Sequence, residues 1–442
     1  MRMKLPEKAA YLIGELGRHG YEAYAVGGCV RDCVLGRTPQ DWDITTSARP
    51  GQVKEIFRHT IDTGIAHGTV TVMVDHEGFE VTTYRIDGEY EDARHPKEVI
   101  FTPLLREDLK RRDFTINAMA YNDTDGLVDL FGGLADLKAG VIRCVGDPSE
   151  RFTEDALRML RAVRFAAQLD FEIAHETEAA IRQLAGNLAR VSAERIQAEL
   201  VKLLISDHPE KIAAAYAAGL TGVFLPEFDA MMRTGQNNPH HCYTVGEHTI
   251  KALTHVPAER VLRLAVLLHD VAKPLCRSVD EGGIDHFYGH PERGSELAGQ
   301  ILRRLKFDNE TTGRVRGLIR WHDDNPPLSD RSIRRAVSRI GTGLYPELFA
   351  VKRADLLAQS GYKREEKLSY LAAYETAWKE IVEKDECLNV KQLAVNGQDL
   401  IAAGMRPGKE IGEMLKTLLE AVLDEPEKNT KEQLLALVSH IL

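Results

Sequence analysis

Near residue 149 the hydrophobic patterning of this 442-residue chain changes character. Upstream, short β-branched runs alternate with helical stretches. Downstream, apolar residues recur every three to four positions to the C-terminus, and few strand candidates remain. A chain built this way is α+β: a small mixed sheet with helices, followed by an all-helical remainder. Its length exceeds the roughly 100–200 residues of one ordinary domain, so three or four units are expected. Residues 1–20 read as an amphipathic helix, Tyr21 to Val26 as a strand, and a helix is expected to begin near Val30 after Gly27-Gly28. Thr69 to Val74 and Phe79 to Tyr84 are further strand candidates. Asn237-Asn238-Pro239 marks a boundary, and Asp324 to Pro327 breaks a helix.

Composition excludes some classes. The N-terminal stretch lacks the apolar core and small-residue cleavage site of a signal peptide, and no apolar run is long enough to cross a membrane. The expected location is cytoplasmic, with no membrane partner. Six scattered cysteines (29, 33, 144, 242, 276 and 387) form no CxxC pair and read as reduced structural thiols. The net charge of −10 sits awkwardly with a nucleic-acid partner, but a phosphate backbone needs only a local basic surface. Lys110 to Arg112, Arg303 to Lys306 and Arg331 to Arg339 are such stretches. For the last two, a solvated helix face and RNA contact are equally good readings.

The most chemical region lies near the start. A glycine pair closing a strand and opening a helix, with Gly28 and Arg31 in place, lets a triphosphate approach backbone N–H groups while a guanidinium adds a bidentate contact. Taken singly, that arrangement is more often just a turn. Asp41-Trp42-Asp43 then leads into Ile44-Thr45-Thr46. If these residues are extended, both carboxylates share a face about 7 Å apart along the chain. Such a pair calls for a hard cation between its members, and Mg²⁺ with a nucleoside triphosphate is the obvious one. Glu80, on the later strand, is either a third carboxylate or an exposed strand residue.

The full string GGCVRDCVLGRTPQDWDITTSA resembles the signature of class II tRNA nucleotidyltransferases and bacterial poly(A) polymerases. RRDFTINAMA (Arg111 to Ala120) looks like that superfamily's second motif, DLFGG (Asp129 to Gly133) its head–neck hinge, and EDALR (Glu154 to Arg158) the nucleotide-selecting helix. RVSAERIQAEL (Arg190 to Leu200) is similar to the helix bracing it. The resemblance spans residues 21–200. It implies a polymerase-β-like nucleotidyltransferase head and an all-α neck and body. It also implies Mg²⁺ on Asp41 and Asp43, phosphates held by Gly28, Arg31 and Arg112, and a base read by Asp155 with Arg158.

That last role also follows from chemistry. Three residues apart on one helix, an aspartate and an arginine are neighbours, the first only accepting hydrogen bonds and the second only donating them. Cytosine and adenine both present an exocyclic amine beside a ring-nitrogen acceptor. Uracil and guanine present the reverse and would leave buried polar groups opposed. Arg161 and Arg164 follow at steps of three and could reach ribose or phosphate, or form a salt-bridge ladder on a solvated face. The resemblance thus implies template-free addition of CCA to tRNA from CTP and ATP. Poly(A) addition is the alternative. Thr63 to Thr69 (TGIAHGT) resembles the CCA-type strand entry, and Arg85 to Pro96 (RIDGEYEDARHP) the loop used in switching from C to A.

Further along, His248, His269-Asp270, His290, His322 and Asp355 resemble the ligand order of HD-type metal-dependent phosphohydrolases. Imidazole with carboxylate suits Mn²⁺, Fe²⁺, Ni²⁺, Co²⁺ or Zn²⁺, and spacing does not decide among them. Related tRNA enzymes with such a module act as phosphatases or phosphodiesterases, including on 2′,3′-cyclic phosphates. Under a third reading, this hydrolase is the main activity and the head an RNA-binding scaffold. His240, His241 and His286 match no ligand position. The expected organisation is a head (1–140), neck and body (141–235), HD module (236–360) and helical tail (361–442). The oligomeric state is not legible.

Overall fold

A computed structural model describes residues 2–87 and 99–441. It divides into two compact units, 1–226 and 227–442. The first is α+β, as the patterning requires. Helix α1 (Glu7–Arg18) precedes β1 (Ala23–Val26), α2 (Gly28–Val34), β2 (Ile44–Thr46), α3 (Pro50–Ile56), β3 (Thr60–Gly64), β4 (Thr69–Val74) and β5 (Glu77–Thr83). There follow β6 (Arg85–Asp87), β7 (Val99–Phe101), α4 (Leu105–Lys110), β8 (Met119–Asn122), β9 (Gly126–Asp129) and α5 (Gly133–Ala139). Seven strands form one sheet in the order β3-β4-β5-β2-β1-β8-β9. It is mixed, with β2 running parallel to β5 (Ile44 opposite Val81) and antiparallel to β1 (Ala25 opposite Ile44). Every residue of β1 is buried, as expected of a central strand covered on both faces.

Two details differ from the sequence reading. The amphipathic helix is trimmed to Glu7–Arg18 because Pro6 cannot continue a helix backwards. Asp41-Trp42-Asp43 also lies just before β2 rather than within it, although Asp43 O still accepts from Val26 N at 3.0 Å and so extends the ladder toward β1. Of the loop at 85–96, residues 85–87 form β6, paired with β7, and residues 88–96 lie outside the described ones.

The helical part of the first unit contains α6 (Pro148–Glu154), α7 (Leu157–Leu169), α8 (His175–Leu184) and α9 (Ala193–Leu204). Helix α7 buries ten of its thirteen residues and packs on α9. The second unit is almost entirely helical, with one short hairpin, Ser278–Val279 against Asp285–His286.

The basic runs that the sequence leaves open are tied to acids here. Arg304 pairs with Glu227, Arg331 and Arg335 with Asp424, Arg334 with Glu386, and Arg339 with Asp324. Arg334 is buried and also donates to the carbonyl of Leu423, so it joins helices, whereas Arg331, Arg335 and Arg339 stay about half exposed. Among the described residues no helix is long and apolar enough to cross a membrane.

Candidate active site and candidate metal centre

The first unit carries an open cleft of about 860 Å³ whose walls include Gly27, Gly28, Arg31, Asp41, Asp43 and Arg112 from the head, with Arg161, Arg164, Phe165 and Lys202 from the helices. Gly27, not Gly28, makes the turn. Its φ of +81° is open to glycine, and an added Cβ would lie 3.0 Å from Arg112 Nη1. Gly28 is the first residue of α2. Arg31, one turn on, is clamped by Asp32 at 2.8 Å and donates to Asn117 Oδ1 at 2.9 Å.

Asp41 and Asp43 both face the cleft. Burial pushes the Asp43 carboxyl up; Arg112 opposes this, while Glu80 and Asp41 add to it. Asp41 and Glu80 thus act on Asp43 through their charge, and a divalent cation held at Asp41 and Asp43 would relieve that repulsion. The residues present therefore fit Mg²⁺. The parallel pairing of Ile44 with Val81 places Glu80 level with Asp43.

Opposite the aspartates, the arginines of α7 are held by acids that sequence reasoning missed. Arg161 grips Asp113 Oδ2 with Nε at 2.8 Å and Nη2 at 2.6 Å. Arg164 is buried and pairs with the buried Glu199 of α9. Burial opposes ionisation of Asp113, but the Arg161 guanidinium outweighs it and brings the carboxyl down to about 2. The Phe165 ring lies 3.8 Å from the Arg164 guanidinium, with those of Arg31 and Arg161 at 5.2 and 5.4 Å. The signal is conditional: a guanidinium known to be enclosed requires a counter-ion, and the RRD and ERIQAEL motifs contain Asp113 and Glu199.

Asp155 and Arg158 do not line the cleft. Nor do they sit three apart on one helix. Asp155 ends α6 with extended backbone (φ −143°, ψ 103°), and α7 begins at Leu157. The cause is local. The Asp155 side chain accepts from Leu157 N at 3.1 Å, as aspartates do at helix starts, and its other oxygen accepts from Arg195 at 2.7 Å. Arg158 donates to Glu154 at 2.7 Å and to the carbonyl of Arg111 at 3.1 Å. Arg161 and Arg164, for which a salt-bridge ladder on a solvated face is the alternative, line the cleft and pair with Asp113 and Glu199 from outside their own helix.

In the second unit the six predicted ligands converge from separate helices. His248 lies on helix Val245–Leu253, His269 and Asp270 follow helix Arg260–Leu268, His290 opens helix His290–Arg304, His322 ends helix Asn309–Trp321, and Asp355 lies on helix Tyr345–Ala358. Two groups have their candidate ligand atoms within 4.8 Å of one another: His248, His269 and Asp270, and Asp270, His290 and His322. Asp270 is common to both. Asp355 Oδ1 is 2.8 Å from His248 Nε2 and 3.7 Å from His269 Nε2. The Nδ1–H groups of His269, His290 and His322 donate to the carbonyls of Val266, Phe287 and Ile319 at 2.7–2.8 Å. Each ring is thereby locked with Nε2 turned inward, the orienting device usual at metal sites. His269 Nε2 and both Asp270 oxygens are buried without an aligned hydrogen bond, although Lys273 Nζ ion-pairs with Asp270 Oδ2 at 2.8 Å. Burial disfavours a charged His269, yet the Asp270 carboxylate prevails and pushes it up to about 10. A cation in that position would take over the proton's role.

Comparison with known proteins agrees with this geometry. Residues 23–143 match the poly A polymerase head domain, 170–232 the RNA and SrmB-binding site of polymerase A, and 293–438 tRNA nucleotidyltransferase domain 2. The CCA-adding enzymes of Lactiplantibacillus plantarum and Anoxybacillus flavithermus are each 36% identical over 97% of this chain and 95% of their own. The crystal structure of the Bacillus stearothermophilus CCA-adding enzyme in complex with CTP superposes with a TM-score of 0.74. It is 29% identical and covers 99% of this chain and 98% of that one.

Proposed function

The chain belongs to the family of CCA-adding enzymes, and we propose that it adds C, C and A to the 3′ end of tRNA from CTP and ATP without a template, releasing pyrophosphate. The observation that carries this is the meeting of Asp41 and Asp43 with a glycine turn and five arginines in one cleft. Asp41 and Asp43 would hold Mg²⁺, which would supply positive charge to offset the triphosphate and ease deprotonation of the attacking 3′-hydroxyl. The Gly27-Gly28 turn, Arg31 and Arg112 hold the phosphates, and Arg161, fixed by Asp113, holds negative charge as pyrophosphate departs.

Asp155 and Arg158 read the base. In this reading Asp155 gives up Arg195, Arg158 gives up Glu154 and the Arg111 carbonyl, and both turn into the cleft when a nucleotide enters, so that one acceptor and one donor become available to cytosine or adenine. Organisation into a head (1–140), neck and body (141–235), HD module (236–360) and tail (361–442) accompanies the proposal, as does a cytoplasmic location. Pyrophosphate release from CTP by a tRNA lacking its CCA end tests the catalytic assignment. Asp41→Ala and Asp43→Ala should each abolish it, and full activity in either variant would refute the assignment.

The histidine cluster favours a second activity. We infer that His248, His269, Asp270, His290, His322 and Asp355 hold one or two divalent transition-metal ions in an HD-type phosphohydrolase site acting on RNA ends. Such ions supply an activated water for attack on a phosphoester. The chain's own residues orient the ligands and exclude bulk solvent. Turnover of a cyclic phosphate that persists in a His269→Ala/Asp270→Ala variant would exclude this site as its source.

A further inference from the structure

Beside the histidine cluster lies a cavity of about 380 Å³ walled by Asp270, His290 and His322 on one side and by Lys273, Lys367 and Tyr288 on others. Tyr288 is conspicuous: 77% exposed, it shows more of itself to solvent than any other large apolar residue among the described ones. It is not loose. Its ring stacks on His286 with an interplanar angle of 5° and centroids 5.3 Å apart, and its hydroxyl lies 3.3 Å from His286 Nδ1. His286 Nε2 is in turn held by Asp280 Oδ2 at 2.8 Å. The hairpin beneath is pinned by the buried Asp285, which accepts from Arg277 Nε at 2.9 Å and from Asn237 N at 2.7 Å. A flat, two-ring surface tied by these contacts is thus kept largely in solvent.

Its position gives it meaning. Tyr288 precedes His290 by two residues, so the platform stands within about 7 Å of chain from a member of the cluster. A nucleoside phosphate spans a similar distance between base and phosphorus. Lys367 and Lys273, the latter already paired with Asp270, line the same cavity and give it positive charge for a phosphate. We propose that His286 and Tyr288 form a stacking subsite for a nucleobase, and that the cleft they border selects phosphate esters of nucleosides over esters without an aromatic group. The inference rests on the reading of the cluster as a metal-dependent phosphohydrolase site, which the experiment tests separately.

Two readouts on the full chain supplemented with Mn²⁺ decide it. The first is the ratio of kcat/KM for adenosine 3′-phosphate to that for glycerol 2-phosphate. Tyr288→Ala and His286→Ala should lower this ratio about tenfold, through KM for the nucleotide, while Tyr288→Phe keeps it. An unchanged ratio in folded Tyr288→Ala overturns the subsite. The second readout needs no turnover. A short RNA ending in 4-thiouridine 3′-phosphate is photocrosslinked, and the crosslinked peptides are identified by mass spectrometry. Attachment to the peptide Ser278–Arg293, competed by adenosine 3′-phosphate, supports the subsite, and crosslinks confined to other segments overturn it. Stronger competition by unlabelled RNA than by the free nucleotide identifies an RNA end as the source of the base, and equal competition a free nucleotide. Equal Mn²⁺ content in wild type and His269→Ala/Asp270→Ala would refute the metal reading alone, because the crosslink at Tyr288 does not depend on it.

Discussion

Asp113 shows how much of the active-site cleft depends on single buried charges. Its carboxylate is desolvated, and the Arg161 fork holds it near a pKa of 2, below the usual aspartate value. A depressed folded-state pKa stabilises the protein above the unfolded value, and that stabilisation is lost as pH falls through the folded one. The window is therefore about pH 4 down to about pH 2, and the contribution on the order of 2–3 kcal/mol. Asp113→Asn should lose roughly that much at pH 7, measured by urea unfolding, and should flatten stability across the same window. It should also raise KM for CTP, because Arg161 would no longer be fixed. Asp113 was not picked out from the sequence. RRDFTINA drew attention to its arginines, while the acid is recognisable only once the guanidinium it must neutralise is known to be buried. Asp41 and Asp43, by contrast, stand out in the sequence as a carboxylate pair downstream of a glycine turn, and both line the cleft.

Among the elements, the turn between β1 and α2 and the packing of α7 on α9 do most to shape the cleft. Gly27→Ala puts a side chain into a left-handed backbone and against Arg112, at a cost of about 1–2 kcal/mol. Thermal unfolding should show that loss together with weaker triphosphate binding, whereas Gly28→Ala, at the first position of α2, should be milder. The α7–α9 contact contains the buried Arg164–Glu199 pair. Glu199→Ala strands a guanidinium and should cost about 3–5 kcal/mol, read from chemical denaturation. The presence of these helices could be read from periodicity. The break at Asp155 could not, because apolar spacing continues smoothly through it and only the side chain's bond to Leu157 N stops α6 and starts α7. The register of the sheet was likewise out of reach, since it joins β2 to β5 across nearly forty intervening residues.

Taken whole, the molecule consists of two compact units, each with its own cluster of charged groups, and their chemistries differ. In the first, arginines and Lys202 line one cleft with a carboxylate pair. In the second, buried imidazoles and carboxylates from separate helices lie within ligand distance of one another. Removing metal should therefore act unevenly. A chelator strong enough to strip a histidine–aspartate site should lower the melting temperature of the second unit by several degrees, and re-addition of Mn²⁺ should restore it. Two calorimetric transitions, of which only one moves, are the expected result. The change of pattern near residue 149 announced an α+β head and a helical remainder, and the ligand order announced the histidine cluster. The pairing of the basic runs with acids was hidden, because Arg335 and Asp424 meet across a long stretch of sequence.

The central claim, that the cleft builds a fixed C-C-A sequence, is tested most directly by extending a tRNA transcript that lacks its last three nucleotides and resolving the products at single-nucleotide length. Two additions with CTP alone, a third only when ATP joins it, and none with UTP are predicted. A long ladder from ATP alone, or incorporation of UTP as readily as CTP, would contradict the account.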